Sequence, residues 1–365
     1  MKIINVAGAR PNFIKTAPLM AEYEKFDNIE SLLVHTGQHY DERMSGLFFK
    51  ELAIPQPHIN LGVGSGSHAT QTAEIMKAFE PVAAEYKPDA VLVVGDVNST
   101  IACSLVAAKL GVKVVHVEAG LRSFDRSMPE EINRVLTDSI SDFLFCTEQS
   151  AVDNLMREGI GRDKIYLVGN VMVDSLLKNR SRAEKSNLLD RLDLNGEMFA
   201  VLTLHRPSNV DDPATLERIL EALEVIQNDM PIIFPVHPRT RKNLSFCVCE
   251  KRMANLPNLR LIEPVGYLDF LKLMSSARLV LTDSGGIQEE TTVLKIPCLT
   301  LREATERPIT VEIGSNRVVG TNPAAIIESY QRIVNGGWTA AAGRIPPLWD
   351  GHAAERIVKI LLEKL

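Results

Sequence analysis

No apolar run in this 365-residue chain reaches the roughly 20 residues that a membrane-spanning helix needs. Cysteine is sparse: the five residues are Cys103, Cys146, Cys247, Cys249 and Cys298. Only Cys247 and Cys249 lie close together, and no second cysteine pair or histidine cluster completes a metal site. Four of the five sit in apolar or strand-like surroundings, where a thiol behaves as a small hydrophobe. We therefore expect reduced thiols, no disulfide framework and no metal. Basic residues are outnumbered, 40 Lys and Arg against 46 Asp and Glu for a net charge of -6, which argues against a nucleic-acid partner with its need for a basic face. Small anions remain open as ligands, because a few cations and a helix N-terminus suffice for a phosphate. The first residues enter a strand-like segment without the apolar core of a signal peptide, so we expect a cytoplasmic protein with no membrane partner. Solenoid repeats, heptads and low-complexity tracts are absent as well.

What is present is an alternation of short β-branched runs with longer amphipathic stretches, the pattern of βαβ units and parallel sheets. In the first half the spacing predicts strands at 2–7, 31–35, 90–94, 112–117, 143–146 and 165–168, with helices at 71–86, 100–110 and 130–141. A charged stretch at 176–195 reads as a helix tail and connector. A second series follows, with strands at 199–204, 232–236, 260–262, 279–282 and 297–301 and helices at 213–228 and 267–275. A last helix is expected at 352–365, after the breaker Ile345-Pro346-Pro347. The fold class is α/β, with two Rossmann-like domains and a ligand cleft. We place the first at 1–172, joined by the final helix 352–365, and the second at 173–351. Ligands of such sheets bind beyond the carboxyl ends of the strands, which directs attention to the residues just after each strand.

After the first strand, Gly8-Ala9-Arg10-Pro11-Asn12-Phe13-Ile14-Lys15 combines a tight turn, a helix start and two cations, Arg10 and Lys15. The second and third glycines of a dinucleotide fingerprint are missing, so NAD is disfavoured and no cofactor is expected. Carboxylates follow two later strands, as Gly95-Asp96 and as Glu118-Ala119-Gly120-Leu121-Arg122. Asp96 could merely cap the next helix, but Asn98 and Ser99 already offer capping groups. Glu118 could merely pair with Arg122. Glu130, in the helix start Pro129-Glu130-Glu131, gains interest only in company with Asp96 and Glu118, since three carboxylates can supply differently tuned acids and bases. In the second half, His205-Arg206 and His237-Pro238-Arg239 follow strands in equivalent positions. The most specific piece is Asp283-Ser284-Gly285-Gly286-Ile287-Gln288-Glu289-Glu290. Its small residues let a diphosphate reach helix N–H groups, and Glu289 or Glu290 could then accept from a ribose. No Gly-Lys-Ser/Thr follows, which excludes a P-loop.

Taken together with Thr36-Gly37-Gln38-His39, Ile132-Asn133-Arg134 and Thr305-Glu306-Arg307-Pro308, these pieces resemble the non-hydrolysing UDP-N-acetylglucosamine 2-epimerase family over nearly the whole length. The resemblance implies a glycosyltransferase-B-like fold, a homodimer, and UDP-N-acetylglucosamine and UDP-N-acetylmannosamine as ligands. It implies that Arg10, His205, Ser284, Gly285 and Gly286 hold the diphosphate and that Glu289 holds the ribose. It brings Val265-Gly266-Tyr267-Leu268 to the uracil and adds His237 and Arg307 to the UDP-binding set. It assigns the proton chemistry to Asp96, Glu118 and Glu130, with Lys15 and His205 at the same site. The implied reaction is elimination of UDP to 2-acetamidoglucal, followed by re-addition. Three other readings compete: a UDP-sugar glycosyltransferase, a hydrolysing 2-epimerase and a sugar-nucleotide sensor. A glycosyltransferase does not need carboxylates after both Gly95 and Val117. The hydrolysing enzymes usually carry an acidic residue and Tyr after the first-motif Arg, where this chain has Pro11-Asn12-Phe13.

Overall fold

The computed structural model describes residues 1–37, 51–52, 54–236, 240–241, 252–253, 255–338 and 344–365. The chain divides into two compact units, Met1–Lys178 with Pro347–Leu365, and Asn179–Pro346.

The first unit is built on β1 (Lys2–Ala7), β2 (Glu30–His35), β3 (Ile59–Asn60), β4 (Ala90–Val94), β5 (Lys113–Val117), β6 (Phe143–Cys146) and β7 (Ile165–Leu167). Every residue of β4 is buried, as β-branched and apolar side chains on both faces of a parallel sheet require. The order is β3-β2-β1-β4-β5-β6-β7, with all neighbours parallel. The chain walks outward from β1 to β3 and returns to β4 on the other side of β1. The loops after β1 and β4 therefore leave in opposite directions, which opens a crevice at their carboxyl ends. Ile4, Val34, Phe79, Val91 and Val93 share one core beneath this edge. Each such buried side chain contributes roughly 1.5–3 kcal/mol.

The second unit repeats the scheme with β8 (Ala200–Thr203), β9 (Ile232–Pro235), β10 (Leu259–Ile262), β11 (Leu279–Thr282), β12 (Cys298–Thr300) and β13 (Asn316–Val318). Its order is β10-β9-β8-β11-β12-β13, again parallel throughout, with the switch between β8 and β11. Leu202, Leu220, Phe234, Leu281 and Tyr330 centre its core. The edge strands β3 and β13 were not expected. They are two and three residues long, too short for a hydrophobic period, and arise where the edges of β2 and β12 offer backbone partners.

The final helix, Ala353–Lys364, returns to the first unit and packs on the helix Arg10–Tyr23. Trp349 anchors the return, buried and donating from Nε1 to Thr147 O at 3.0 Å. The Asp174 carboxylate accepts the N–H groups of Ala353 and Ala354 at 3.2 and 2.7 Å, which caps the helix from outside its own sequence. Cys103, Cys146 and Cys298 are buried free thiols, and Cys247 and Cys249 lie outside the described residues.

Candidate active site

In the first unit the switch point is assembled by Asn12. Its side-chain oxygen accepts the N–H groups of Gly8 and Ala9 at 3.2 and 2.8 Å, and its amide donates to Val94 O at 3.0 Å. One side chain thus ties the loop after β1 to the end of β4. One helical turn later, buried Lys15 forms an ion pair with buried Glu118. Gly95 between them adopts φ +69°, and a Cβ there would stand 3.2 Å from Lys15 Nζ. Backbone conformation and the lysine together favour glycine. Glu118 itself sits at φ +74°. For a residue with a Cβ that costs on the order of 1–2 kcal/mol, a strain that tends to persist where function holds it.

Asp96 follows Gly95 and forms an ion pair with Arg134, which also donates to Glu131 at 2.9 Å. Glu131 is fully engaged as a loop organiser, accepting Ser123 N, Ser123 Oγ and Phe124 N, each at 2.9 Å. Its neighbour Glu130 is half-buried in the first turn of the helix Pro129–Ile140 and makes no side-chain ion pair or hydrogen bond among the described residues. The structure therefore brings Lys15, Gly95, Asp96 and Glu118 to one switch point. It also corrects two details. The partner of Glu118 is Lys15 rather than Arg122, because Arg122 turns into the interior toward Asp138 and Glu158 at 2.7 and 2.6 Å. Asp96 is held by Arg134 rather than left free, and the helix after it starts from Val97 with no side-chain cap.

Sequence reasoning passed over a buried network beneath these groups. His116, in β5, places Nε2 2.8 Å from Gly95 O and Nδ1 2.6 Å from Asp138 Oδ1. Asp138 also accepts the Gly120 N–H at 3.1 Å. Burial alone would raise the Asp138 carboxyl, but His116 and Arg122 hold it below the usual carboxylate range. A histidine among the buried valines of β5 was the available signal.

In the second unit the corresponding organiser is Asp283, fully buried after β11. It accepts the Arg206 N–H at 2.9 Å, the His205 N–H at 3.0 Å and the Asn209 amide at 3.2 Å, and pairs with His205 Nδ1 at 2.7 Å. Burial pushes its carboxyl upward, yet the His205 ring and these N–H groups bring it below the ordinary range. The His205 ring is thereby fixed at one nitrogen while its side chain stays 52% exposed. The helix Gly285–Leu294 starts at Ser284 with no side-chain cap, and nothing lies within 4 Å of a Cβ placed on Gly285. An uncapped helix N-terminus facing open space is receptive to an anion.

Further into that helix, buried Glu289 accepts from Arg307 Nε at 2.5 Å, and buried Glu290 accepts from the Tyr267 hydroxyl at 3.0 Å. Burial pushes the Glu290 carboxyl up to about 7; Tyr267 lowers it and Glu289 raises it further. Leu268 is half-buried beside Tyr267 at the start of the helix Tyr267–Ser276. Glu306 is chelated by Arg302 at 2.8 Å through both oxygens and lies near Arg206 at 3.6 Å. Burial opposes the charge on Glu306, but these arginines hold its carboxyl far below the usual range. His237 lies outside the described residues, as does the side chain of Arg10, whose backbone opens the helix Arg10–Tyr23.

The family model for UDP-N-acetylglucosamine 2-epimerase matches residues 21–362. The chain belongs to the UDP-N-acetylglucosamine 2-epimerase family. It is 47% identical over 370 aligned positions to the UDP-N-acetylglucosamine 2-epimerase of Methanocaldococcus jannaschii, covering 99% of each chain. It is 44% identical over 332 positions to the UDP-2,3-diacetamido-2,3-dideoxy-D-glucuronate 2-epimerase of Pseudomonas aeruginosa, covering 90% of this chain and 91% of that one. Its fold matches the crystal structure of the M. jannaschii UDP-GlcNAc 2-epimerase in complex with UDP-GlcNAc and UDP, with a TM-score of 0.91, 46% identity and full coverage of both chains.

Proposed function

We propose that this chain interconverts UDP-N-acetylglucosamine and UDP-N-acetylmannosamine by reversible epimerisation at C2. The observation that carries the reading is the convergence of Lys15, Asp96 and Glu118 at one switch point, in a chain of this family. The C2 proton of the hexose is adjacent to no carbonyl, so a stabilised carbanion is not accessible. In the route open to side chains alone, a carboxylate takes the C2 proton only as UDP departs from C1, so no free carbanion forms. The C1–O bond breaks, its electron pair leaves with UDP, and a C1=C2 bond forms in 2-acetamidoglucal. In the return step a UDP oxygen adds to C1 and a proton is delivered to the opposite face of C2. Two faces require more than one acid/base group, and Asp96, Glu118 and Glu130 supply them in this reading. Lys15 balances the charge of Glu118.

UDP is held in this proposal by the second unit. The N-terminus of the helix Gly285–Leu294, with Ser284, Gly285 and Gly286, receives the diphosphate, and the half-exposed His205 ring adds a charge-assisted donor. Arg10, of the first unit, joins the UDP-binding set on the family resemblance alone. Glu289, oriented by Arg307, takes the ribose, and the start of the helix Tyr267–Ser276 with Leu268 meets the uracil. His237 belongs to the same set. The proposal includes a cytoplasmic homodimer. No helix among the described residues is long and apolar enough to cross a membrane.

Incubation with UDP-N-acetylglucosamine in D2O, followed by NMR, tests the reading. We expect deuterium at C2 and a mixture of the two UDP-hexosamines with little free UDP. Retention of the C2 proton contradicts the proposal, and stoichiometric UDP release indicates hydrolysis instead.

A further inference from the structure

Asp96, Glu118 and Glu130 stand on three different segments: the turn after β4, the turn after β5 and the helix Pro129–Ile140. Each of those segments contacts one buried pair. His116 reaches the carbonyl of Gly95, the residue immediately before Asp96, at 2.8 Å. Asp138, two turns along the helix from Glu130, meets the other side of the imidazole at 2.6 Å and accepts the N–H of Gly120, two residues after Glu118, at 3.1 Å. The geometry points to His116 and Asp138 as positioning residues that set the placement of the proton-transferring carboxylates without touching substrate.

Three features argue for positioning over simple stabilisation. Both side chains are essentially inaccessible, at 0% and 1% exposure, so no ligand contact explains them. Taking charged and polar groups out of water is costly, and an apolar pair of similar volume is often as stable or more so. The bonds also end on backbone atoms of two turns that the chain cannot hold by conformational preference. Gly95 and Glu118 have φ of +69° and +74°, and Gly120 has φ +81°. A Cβ on Gly120 would stand 2.4 Å from Ala151 O, so that turn has no slack on its far side. A carbonyl can only accept, which assigns the Nε2 proton of His116 to the Gly95 bond. Loss of that bond frees the turn before Asp96, and a misplacement of about 1 Å can cost about 100-fold in rate.

The inference rests on the proposed epimerase reaction, and amide isosteres separate its parts. Asn carries its amide nitrogen near the position of Nδ1, and Gln near that of Nε2. His116→Asn keeps a donor for Asp138 and loses the Gly95 bond, whereas His116→Gln does the reverse. Turnover, KM, UDP affinity and thermal unfolding would be measured for both beside wild type. We expect His116→Asn to lose at least about ten-fold in kcat with KM and UDP affinity within about two-fold, and His116→Gln to regain most of the loss. A kcat in His116→Asn near that of wild type, or equal losses in both variants that track their melting temperatures, would overturn the inference. Asp138→Asn covers the case in which neither folds. Its amide still accepts from Gly120 and can donate to Nδ1, leaving Nε2–H on Gly95, so turnover should stay within about three-fold of wild type. A ten-fold or greater loss there with a native fold contradicts positioning by this bond. Wild-type protein without any exchange at C2 would overturn the epimerase reading itself, a result distinct from active wild type with indifferent variants.

Discussion

Glu118 shows what a single position can carry. It follows a buried strand, adopts a backbone conformation that resists side chains, and meets Lys15 in a largely buried ion pair. Asp96 is different, with its side chain 28% exposed and Arg134 as partner. Two carboxylates in unlike surroundings can divide the roles of base and acid. Replacing them tests the assignment: Asp96→Asn, Glu118→Gln and Glu130→Gln should each lower kcat by roughly 100- to 10,000-fold while UDP affinity stays near that of wild type. Steady-state kinetics with calorimetry of UDP binding separates the two quantities, and wild-type turnover in any variant removes that residue from the set. The candidacy of these carboxylates was legible because each directly follows a strand or opens a helix. Their partners were not. Lys15 and Glu118 are 103 positions apart, and only the β1-β4-β5 order brings them together. Arg122, close in sequence and the structural alternative for Glu118, points elsewhere.

At the scale of elements, helices are placed by single polar side chains from distant segments. Asp174 caps the final helix across 179 and 180 positions. Asp174→Ala should cost about 1 kcal/mol, read as a lowered denaturation midpoint of the first unit. Glu290 links the helix Gly285–Leu294 to Tyr267 at the start of the next helix in space. Its carboxyl, pushed up to about 7, keeps its proton in the folded chain where an unfolded glutamate has released it. The stability that the protonated form contributes is fully present below about pH 4.5 and is lost as pH rises through about 7. Glu290→Gln, which holds the neutral form at every pH, should therefore gain on wild type by roughly 2–3 kcal/mol between pH 5 and pH 8 in denaturant titrations. A constant difference across that range would show that Glu290 is ionised at both ends. Strand positions in both units were readable from β-branched runs, but β3 and β13 were not, since they depend on a neighbour's edge more than on their own residues.

For the whole molecule, one topological device appears twice. Each sheet reverses its order once, and the residues of interest gather at β1/β4 in the first unit and at β8/β11 in the second. Asn12 in one and Asp283 in the other knit the paired loops together. The alternation of strand and helix disclosed this architecture, whereas the identity of the sugar came from the family motifs. The buried pair His116–Asp138 escaped both routes, because a histidine among valines reads as core until its two acceptors are seen. The central claim is that UDP leaves C1 and returns. Positional isotope exchange tests it directly, using UDP-N-acetylglucosamine with 18O at the oxygen that bridges C1 and the β-phosphorus. Free rotation of the released β-phosphate should scramble the label into non-bridging positions at least as fast as N-acetylmannosamine product forms. Epimerised product with the label still wholly in the bridge would contradict the account.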